Sequence, residues 1–211
     1  RRIFIALTAA ALFATPAAAQ TWPSKPITLV VPYAAGGPVD VLGRLMGAAL
    51  SEQLKQQVVI ENVGGAGGMS GTAKVAKAMP DGYTMLLSGS AVLSIVPLMY
   101  KTPLYDPNAD FEHAALFSDS ARVLVVRKDL PANNLGEFIA YAKANQAKMQ
   151  YGTAGPGSGM HICAVLLNQA MDADVTHVPY RSSGLALNDL LAGRLDYLTD
   201  QISTALPQVQ A

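Results

Sequence analysis

The stretch Y-G-T-A-G-P-G-S-G-M-H, residues 151–161, reads as the end of a strand, a glycine-rich turn and the start of a helix. Its glycines place almost no side-chain bulk between the backbone and a bound group. Ser158 is a natural N-cap, and the first N–H groups of the helix behind it have no intrahelical acceptor. Free donors at the positive end of a helix dipole make an anion site. Residues 30–40, V-V-P-Y-A-A-G-G-P-V-D, repeat the design, with a strand running through Gly36 and Gly37 into a helix that opens at Pro38. Two such mouths predict the two walls of one cleft.

Working outward, residues 27–31 form a continuous apolar run, the signature of a strand buried on both faces. The helix after Gly37 carries the apolar stripe Leu42, Leu45, Met46 and Ala49. Residues 57–62 predict a second strand and residues 83–88 a third, with an alanine-rich helix between them ending near Met79 and a P-D-G turn at 80–82. The pattern loosens over 90–117, where Pro97, Pro103 and Pro107 break any long element. Strands are then expected at 122–127, 149–153, 175–180 and 195–199, alternating with helices at 135–145, 159–171 and 185–192. Alternation of this kind predicts parallel sheets with crossover helices in two α/β units, the boundary falling in the polar stretch 118–121.

The chain has 211 residues, is 51% hydrophobic and 14% charged, and has a formal net charge of zero. That composition predicts well-buried cores, and nothing in it invites nucleic acid. Arg1 and Arg2 precede an apolar run at 3–13, and Ala17 and Ala19 supply the small residues that signal peptidase requires. Residues 1–19 are therefore expected to be a signal peptide cleaved before Gln20, its apolar run being too short for a membrane anchor. Losing both arginines leaves 13 basic against 15 acidic residues. The expected product is exported, soluble and periplasmic. Cys163 is the sole cysteine, so no internal disulfide is possible, and it lies on a helical stripe with Leu166, Leu167 and Ala170 that predicts a buried small hydrophobe.

Nucleotide templates fail. A dinucleotide fingerprint would need glycine at Ser70 or at Met160, and no P-loop lysine or nucleophile elbow follows either loop. His113, His161 and His177 lie in separate elements without metal-ligand spacing. Neither a metal site, a cofactor nor a catalytic constellation is expected. His161 falls in a first helical turn, where the dipole disfavours protonation, which favours a neutral imidazole tying the loop to the sheet over a cationic ligand contact. Asp40 has two readings, a helix-start pair with Arg44 four residues on, or a functional group that orients the loop or meets a cationic group or water on the ligand. Arg181 reads as a solvated arginine after a strand. Thr199 and Asp200 sit at a strand's carboxyl end, where open α/β sheets present ligand-contacting groups.

In order along the chain, V-P-Y-A-A-G-G-P-V-D, V-I-E-N-V-G-G-A-G-G with P-D-G-Y-T, Y-D-P-N-A-D-F, Y-G-T-A-G-P-G-S-G-M-H, H-V-P-Y-R and D-L-L-A-G-R-L-D resemble the Bug or TctC family of periplasmic solute-binding proteins of tripartite tricarboxylate transporters. The resemblance runs from Trp22 to the last residue. It implies a type II periplasmic-binding-protein fold, two α/β lobes around a cleft that closes on a small carboxylated solute and delivers it to membrane permease subunits. Residues 20–120 would form lobe one and 121–211 lobe two. Carried over residue by residue, the resemblance implies ligand contacts from Tyr33, Ala34, Ala35, Gly36, Gly37 and Asp40 on one lobe. On the other it implies Thr153, Ala154, Gly155, Gly157, Ser158 and His161, with Asp200 near the variable end of the ligand. Main-chain amides and water would hold the carboxylate. Arg181-Ser182 stands where Lys-Gly is frequent, and Pro38 replaces a small polar residue. Family chains continue for on the order of a hundred residues beyond this end and return to complete lobe one, which is therefore expected to be incomplete here. Two rival functions are an extracytoplasmic sensing subunit, and an exported hydrolase or isomerase built on Asp40, Asp200 and His161, which lacks a nucleophile, a base-orienting pair and a metal set.

Overall fold

The computed structural model describes residues 21–210, so the leader expected at 1–19 and its cleavage point lie outside the described residues. Strand β1 (Ile27–Val31) is the middle of a three-stranded parallel sheet, between β2 (Val58–Asn62) and β3 (Thr84–Leu86), with Leu29 opposite both Ile60 and Met85. Ile27, Leu29, Val30 and Val31 are all buried, as the unbroken apolar run requires. Helix α1 (Pro38–Leu54) begins at the expected proline. Its packing face is not centred on the expected stripe. Leu45 is 64% exposed, and beyond the first turn, where Pro38 and Asp40 are buried, the buried positions are Gly43 and Gly47, where a Cβ would press on Val31 and Ile60. Missing side chains let the helix lie close against the sheet, with Leu42, Met46 and Leu50 only partly covered. A short 3-10 turn at Ala66–Gly68 leads into α2 (Met69–Ala76); α3 (Ser90–Ser94) and a second 3-10 turn (Val96–Met99) precede a connection without helix or strand.

The second sheet is built from β4 (Arg122–Val126), β5 (Gln150–Thr153), β6 (Thr176–Pro179) and β7 (Tyr197–Gln201), in the order β4-β7-β5-β6. Helices α4 (Leu135–Asn145), α5 (Gly159–Met171) and α6 (Ser183–Leu191) link the strands, and α7 (Ile202–Val209) follows β7. The sheet is mixed where parallel strands were expected. Arg122 pairs with Gln201, so β4 enters beside the carboxyl end of β7 and runs antiparallel to it. The Cys163 stripe is also displaced. The buried face of α5 is Met160, Ala164, Asn168 and Met171; Leu166 is 59% exposed and Cys163 only partly covered. Apolar residues border that helix on both sides, and Asn168 is drawn inside by the Tyr197 hydroxyl, which donates to its Oδ1. One face of the sheet sets Tyr151 and Tyr197 against α4 and α5. The other needs Gly152, whose Cβ would collide with Leu195 and Ala186, so that α6 can approach.

The two sheets share a core. Val31, Tyr33, Val92 and Val96 of the first pack in one cluster with Met160, Ala186, Leu190 and Leu198 of the second. That shared packing brings together the loops at the strand ends.

Candidate functional site

Loops that follow β1, β2, β5 and β6 interlock at the carboxyl ends of their strands, the place where open α/β sheets present ligand groups. Ala34 donates its amide to the Arg181 carbonyl at 3.2 Å, so the β1–α1 loop is bonded to the β6–α6 loop. A Cβ on Gly184 would lie 2.6 Å from the Gly36 carbonyl oxygen, and one on Gly37 would lie 3.1 Å from Ser183 Oγ. In the same way Gly67, at φ +64, runs against the Pro156 carbonyl, and Gly155 against the Gly67 amide. A surface groove of about 480 Å³ beside α1 and β2, lined by Arg44, Gly47, Ser51 and Ile60 among others, lies away from these loops.

Asp40 fixes the shape of the first loop. It is 4% exposed and accepts from the Gly36 amide at 3.0 Å, Arg44 Nε at 3.1 Å and Asn62 Nδ2 at 3.0 Å. Burial opposes its charge, but the bonds from Arg44, Gly36 and Asn62 outweigh burial and hold its pKa below the usual 3.8. Its two readings therefore merge in one geometry: the pair with Arg44 exists, and the same carboxylate orients the loop. Tyr33 is buried, its hydroxyl turned to the Gly67 carbonyl. Ala35 and Gly36 are exposed at the loop's tip, and Ala34 is partly so.

In the loop after β5, Ser158 caps α5, accepting the His161 amide at 3.2 Å. Thr153, Ala154, Gly155, Gly157 and Ser158 are all buried, and His161 is partly so. Several cradle amides are already engaged within the protein: Gly155 to Thr153 Oγ1, Gly157 to His161 Nδ1, and Ser158 to the Gly155 carbonyl. Gly36 and Ala34 are engaged as described. Among the described residues no protein acceptor is found for the amides of Ala35, Gly37 and Ala154, and the opening turns of α1 and α5 leave their first N–H groups unpaired as helix starts do.

Asp200 is fully buried. Its Oδ2 accepts the Thr204 hydroxyl at 2.6 Å, whereas Oδ1 has no partner; Ser183 Oγ, 3% exposed, likewise has none. Burial pushes the Asp200 pKa up, against the pull of Thr204, the Gln201 amide and the Arg122 charge. Buried polar atoms without partners are rare in folded proteins and ask for a ligand or water. Ser183 was missed by sequence reading, as were Gly64, Gly67 and Gly184; the only signal was their glycine or serine character just after a strand. Arg181 contributes its carbonyl while its side chain is exposed. Thr199 is spent internally, its hydroxyl donating to the Met160 carbonyl at 3.0 Å. His161 and His177, read as lying in separate elements, have ring centroids 4.7 Å apart. Among the described residues no group of three His, Cys, Asp or Glu could hold a metal ion.

Residues 42–211 match the model of the tripartite tricarboxylate transporter family receptor, TctC. The chain belongs to that family. It is 40% identical over 211 residues to the UPF0065 protein in the TAR-I ttuE-ttuC' intergenic region of Agrobacterium vitis, a match spanning 100% of this chain and 61% of that relative. The structure of the periplasmic binding protein BugD superposes with a TM-score of 0.86 at 38% identity, over 90% of this chain and 63% of that one. MatC from Rhodopseudomonas palustris with bound malate gives 0.85 at 35% identity, over 90% and 64%. The TctC chain described here thus has the periplasmic-binding-protein fold and spans less than two thirds of the length of these relatives. No helix among its described residues is long and apolar enough to cross a membrane.

Proposed function

We propose that this TctC chain is the ligand-gripping part of a periplasmic receptor that closes two lobes, residues 20–120 and 121–211, on a small carboxylate and passes it to membrane permease subunits of a tripartite tricarboxylate transporter. One observation carries the reading. Ser183 Oγ, beside Gly37, and Asp200 Oδ1, near the carboxyl end of β7, are buried and unpartnered, and the interlocked loops and helix starts offer free donors. A carboxylate meets the main-chain donors left free in the loops after β1 and β5, those of Ala35, Gly37 and Ala154, while Tyr33, Ala34, Gly36, Asp40, Thr153, Gly155, Gly157, Ser158 and His161 shape the two loops around it. A second oxygen on the ligand, a hydroxyl or a further carboxyl, meets Ser183 and Asp200. Asp200 Oδ2 is held by the Thr204 hydroxyl, and its Oδ1, buried without a partner, is placed to meet that oxygen. Malate, the ligand of the similar MatC structure, has both features.

Binding is the whole of the proposed activity, with neither cofactor nor metal. A leader cleaved after Ala19 would deliver the chain to the periplasm. Calorimetric titration with malate, against acetate and an uncharged diol, tests the reading. Saturable binding of malate with weaker acetate binding and none of the diol is expected. Equal affinity for the diol, or turnover of malate, would overturn it. Capture of permease subunits from membranes, as opposed to a signalling partner, tests delivery.

A further inference from the structure

On the α5 side of the second sheet a row of rings crosses the strands. Tyr197 stacks on Tyr151 with centroids 5.6 Å apart, Tyr151 on His177 at 5.0 Å, and His177 lies against His161 of α5 at 4.7 Å. Pairing of Tyr151 with both Tyr197 and His177 in the sheet aligns the row. It ends at the β5–α5 loop. There His177 Nε2 is 2.6 Å from Thr153 Oγ1, which accepts the Gly155 amide at 3.1 Å, and His161 Nδ1 accepts the Gly157 amide at 3.2 Å.

The proton positions follow from these contacts. Thr153 is 0% exposed, and its oxygen already takes the Gly155 proton. Its own hydroxyl proton needs an acceptor, and His177 Nε2 is the one in reach, which puts the His177 proton on Nδ1. His161 accepts at Nδ1, which puts its proton on Nε2. Both rings are therefore neutral acceptors, each holding one end of the Gly155–Gly157 turn.

We infer that His161 and His177 are positioning residues that latch the β5–α5 loop in its gripping shape, and that a proton added to His161 sets a donor against the Gly157 amide while one added to His177 leaves the buried Thr153 hydroxyl proton without its acceptor, so that either loosens the loop. The surroundings do not soften this. Tyr151 of β5 and Tyr197 of β7 flank the row with pKa values raised by burial, Asp174 ahead of β6 acts on Tyr151, Arg122 of β4 has its guanidinium against Gly159, and buried Asp200 lies at the end of β7. No carboxylate bonds either ring among the described residues. Burial lowers the His161 pKa; burial and then the charge of His161 lower that of His177 from 6.5 to about 4. A histidine depressed in this way holds the latch above 6.5 and loses it as pH falls through about 4.

The consequence for ligand capture rests on the carboxylate reading above; the latch itself does not. Nitrogen–proton correlation spectra of the imidazoles test the latch without ligand, and malate titration at several pH values tests its effect on capture. Expected are the Nδ1–H form of His177, the Nε2–H form of His161, and a fall of about tenfold in hydrogen-exchange protection at Gly155 and Gly157 on acidification, as for the loss of one hydrogen bond. His161→Asn with His177→Gln keeps an acceptor at each place but cannot titrate, so the double variant retains its Gly155 and Gly157 protection in acid. Alanine at both positions loses protection at every pH. Rings that titrate near 6.5, the opposite tautomers, or acid sensitivity unchanged in the Asn/Gln variant would overturn the inference. A protein that shows the predicted tautomers and protection but no malate binding at any pH would instead remove the carboxylate reading.

Discussion

Gly184→Ala separates helix stability from lobe closure, because the two effects have opposite signs. Gly184 is the second residue of α6, and alanine in a helix is favoured over glycine by up to about 1 kcal/mol. Its Cβ, however, would lie 2.6 Å from the carbonyl oxygen and 2.9 Å from the carbonyl carbon of Gly36, on the opposite loop. An ordinary carbon–oxygen contact needs about 3.3 Å, so the loops must part by roughly 0.7 Å. Backbone cannot rotate aside as a flexible side chain could. The Ala34–Arg181 bond, already 3.2 Å long, would stretch out of hydrogen-bond range. Losing that bond and one charge-assisted contact to the ligand removes roughly 2–4 kcal/mol, about a 30- to 1000-fold rise in Kd for malate. Gly136→Ala is the matched control: it is the second residue of α4, and its Cβ would meet only Asn134 Oδ1, at 3.3 Å. Urea unfolding measures stability and calorimetry measures affinity. Gly136→Ala should hold or gain stability and keep its affinity, whereas Gly184→Ala should lose affinity, its helix gain offset by the strained contact with Gly36. If Gly184→Ala bound malate as tightly as Gly136→Ala, the proposed closure through this loop contact would be wrong.

Asp200→Asn should unfold at the same or higher urea concentration at pH 7, because a raised carboxyl pKa gives stability that is complete below 3.8 and is lost as pH rises through the folded value. Its amide can still donate to a ligand oxygen, so malate binding should persist; abolition of binding would mean that an ionised Asp200 is required. Asp40 shows the opposite linkage. Its stabilisation is present above 3.8 and is lost as pH falls toward the depressed folded value, so Asp40→Asn should lower stability at neutral pH by about 1.5–3 kcal/mol and flatten the acid limb of the stability curve. Tyr197→Phe leaves Asn168 Oδ1 buried without its donor, which should cost about 1–3 kcal/mol in urea unfolding while leaving malate affinity unchanged.

What the sequence determined by itself was local. An unbroken apolar run can be satisfied only as a strand covered on both faces, and Ile27–Val31 is one. Pro38 opens α1 and Ser158 caps α5 because a missing N–H and a short hydroxyl act on residues within one turn. The ordered motifs carried the family because each is a short contiguous string. Side-chain facing was less legible. Glycine carries no hydropathy signal, so Gly43 and Gly47 hid the packing face of α1, and apolar residues on both sides of α5 left its phase ambiguous. Tertiary structure alone decided which distant residues meet. Sheet pairing of Tyr151 with His177, distant in sequence, brought two histidines into one latch. Docking of the two sheets set Ser183 beside Gly37, and the fold left the buried oxygens Ser183 Oγ and Asp200 Oδ1 without partners. The direction of β4 was also decided there, since the side from which a chain re-enters a sheet depends on where the preceding sheet lies. Burial, and with it every shifted pKa used here, exists only once those long-range contacts have formed.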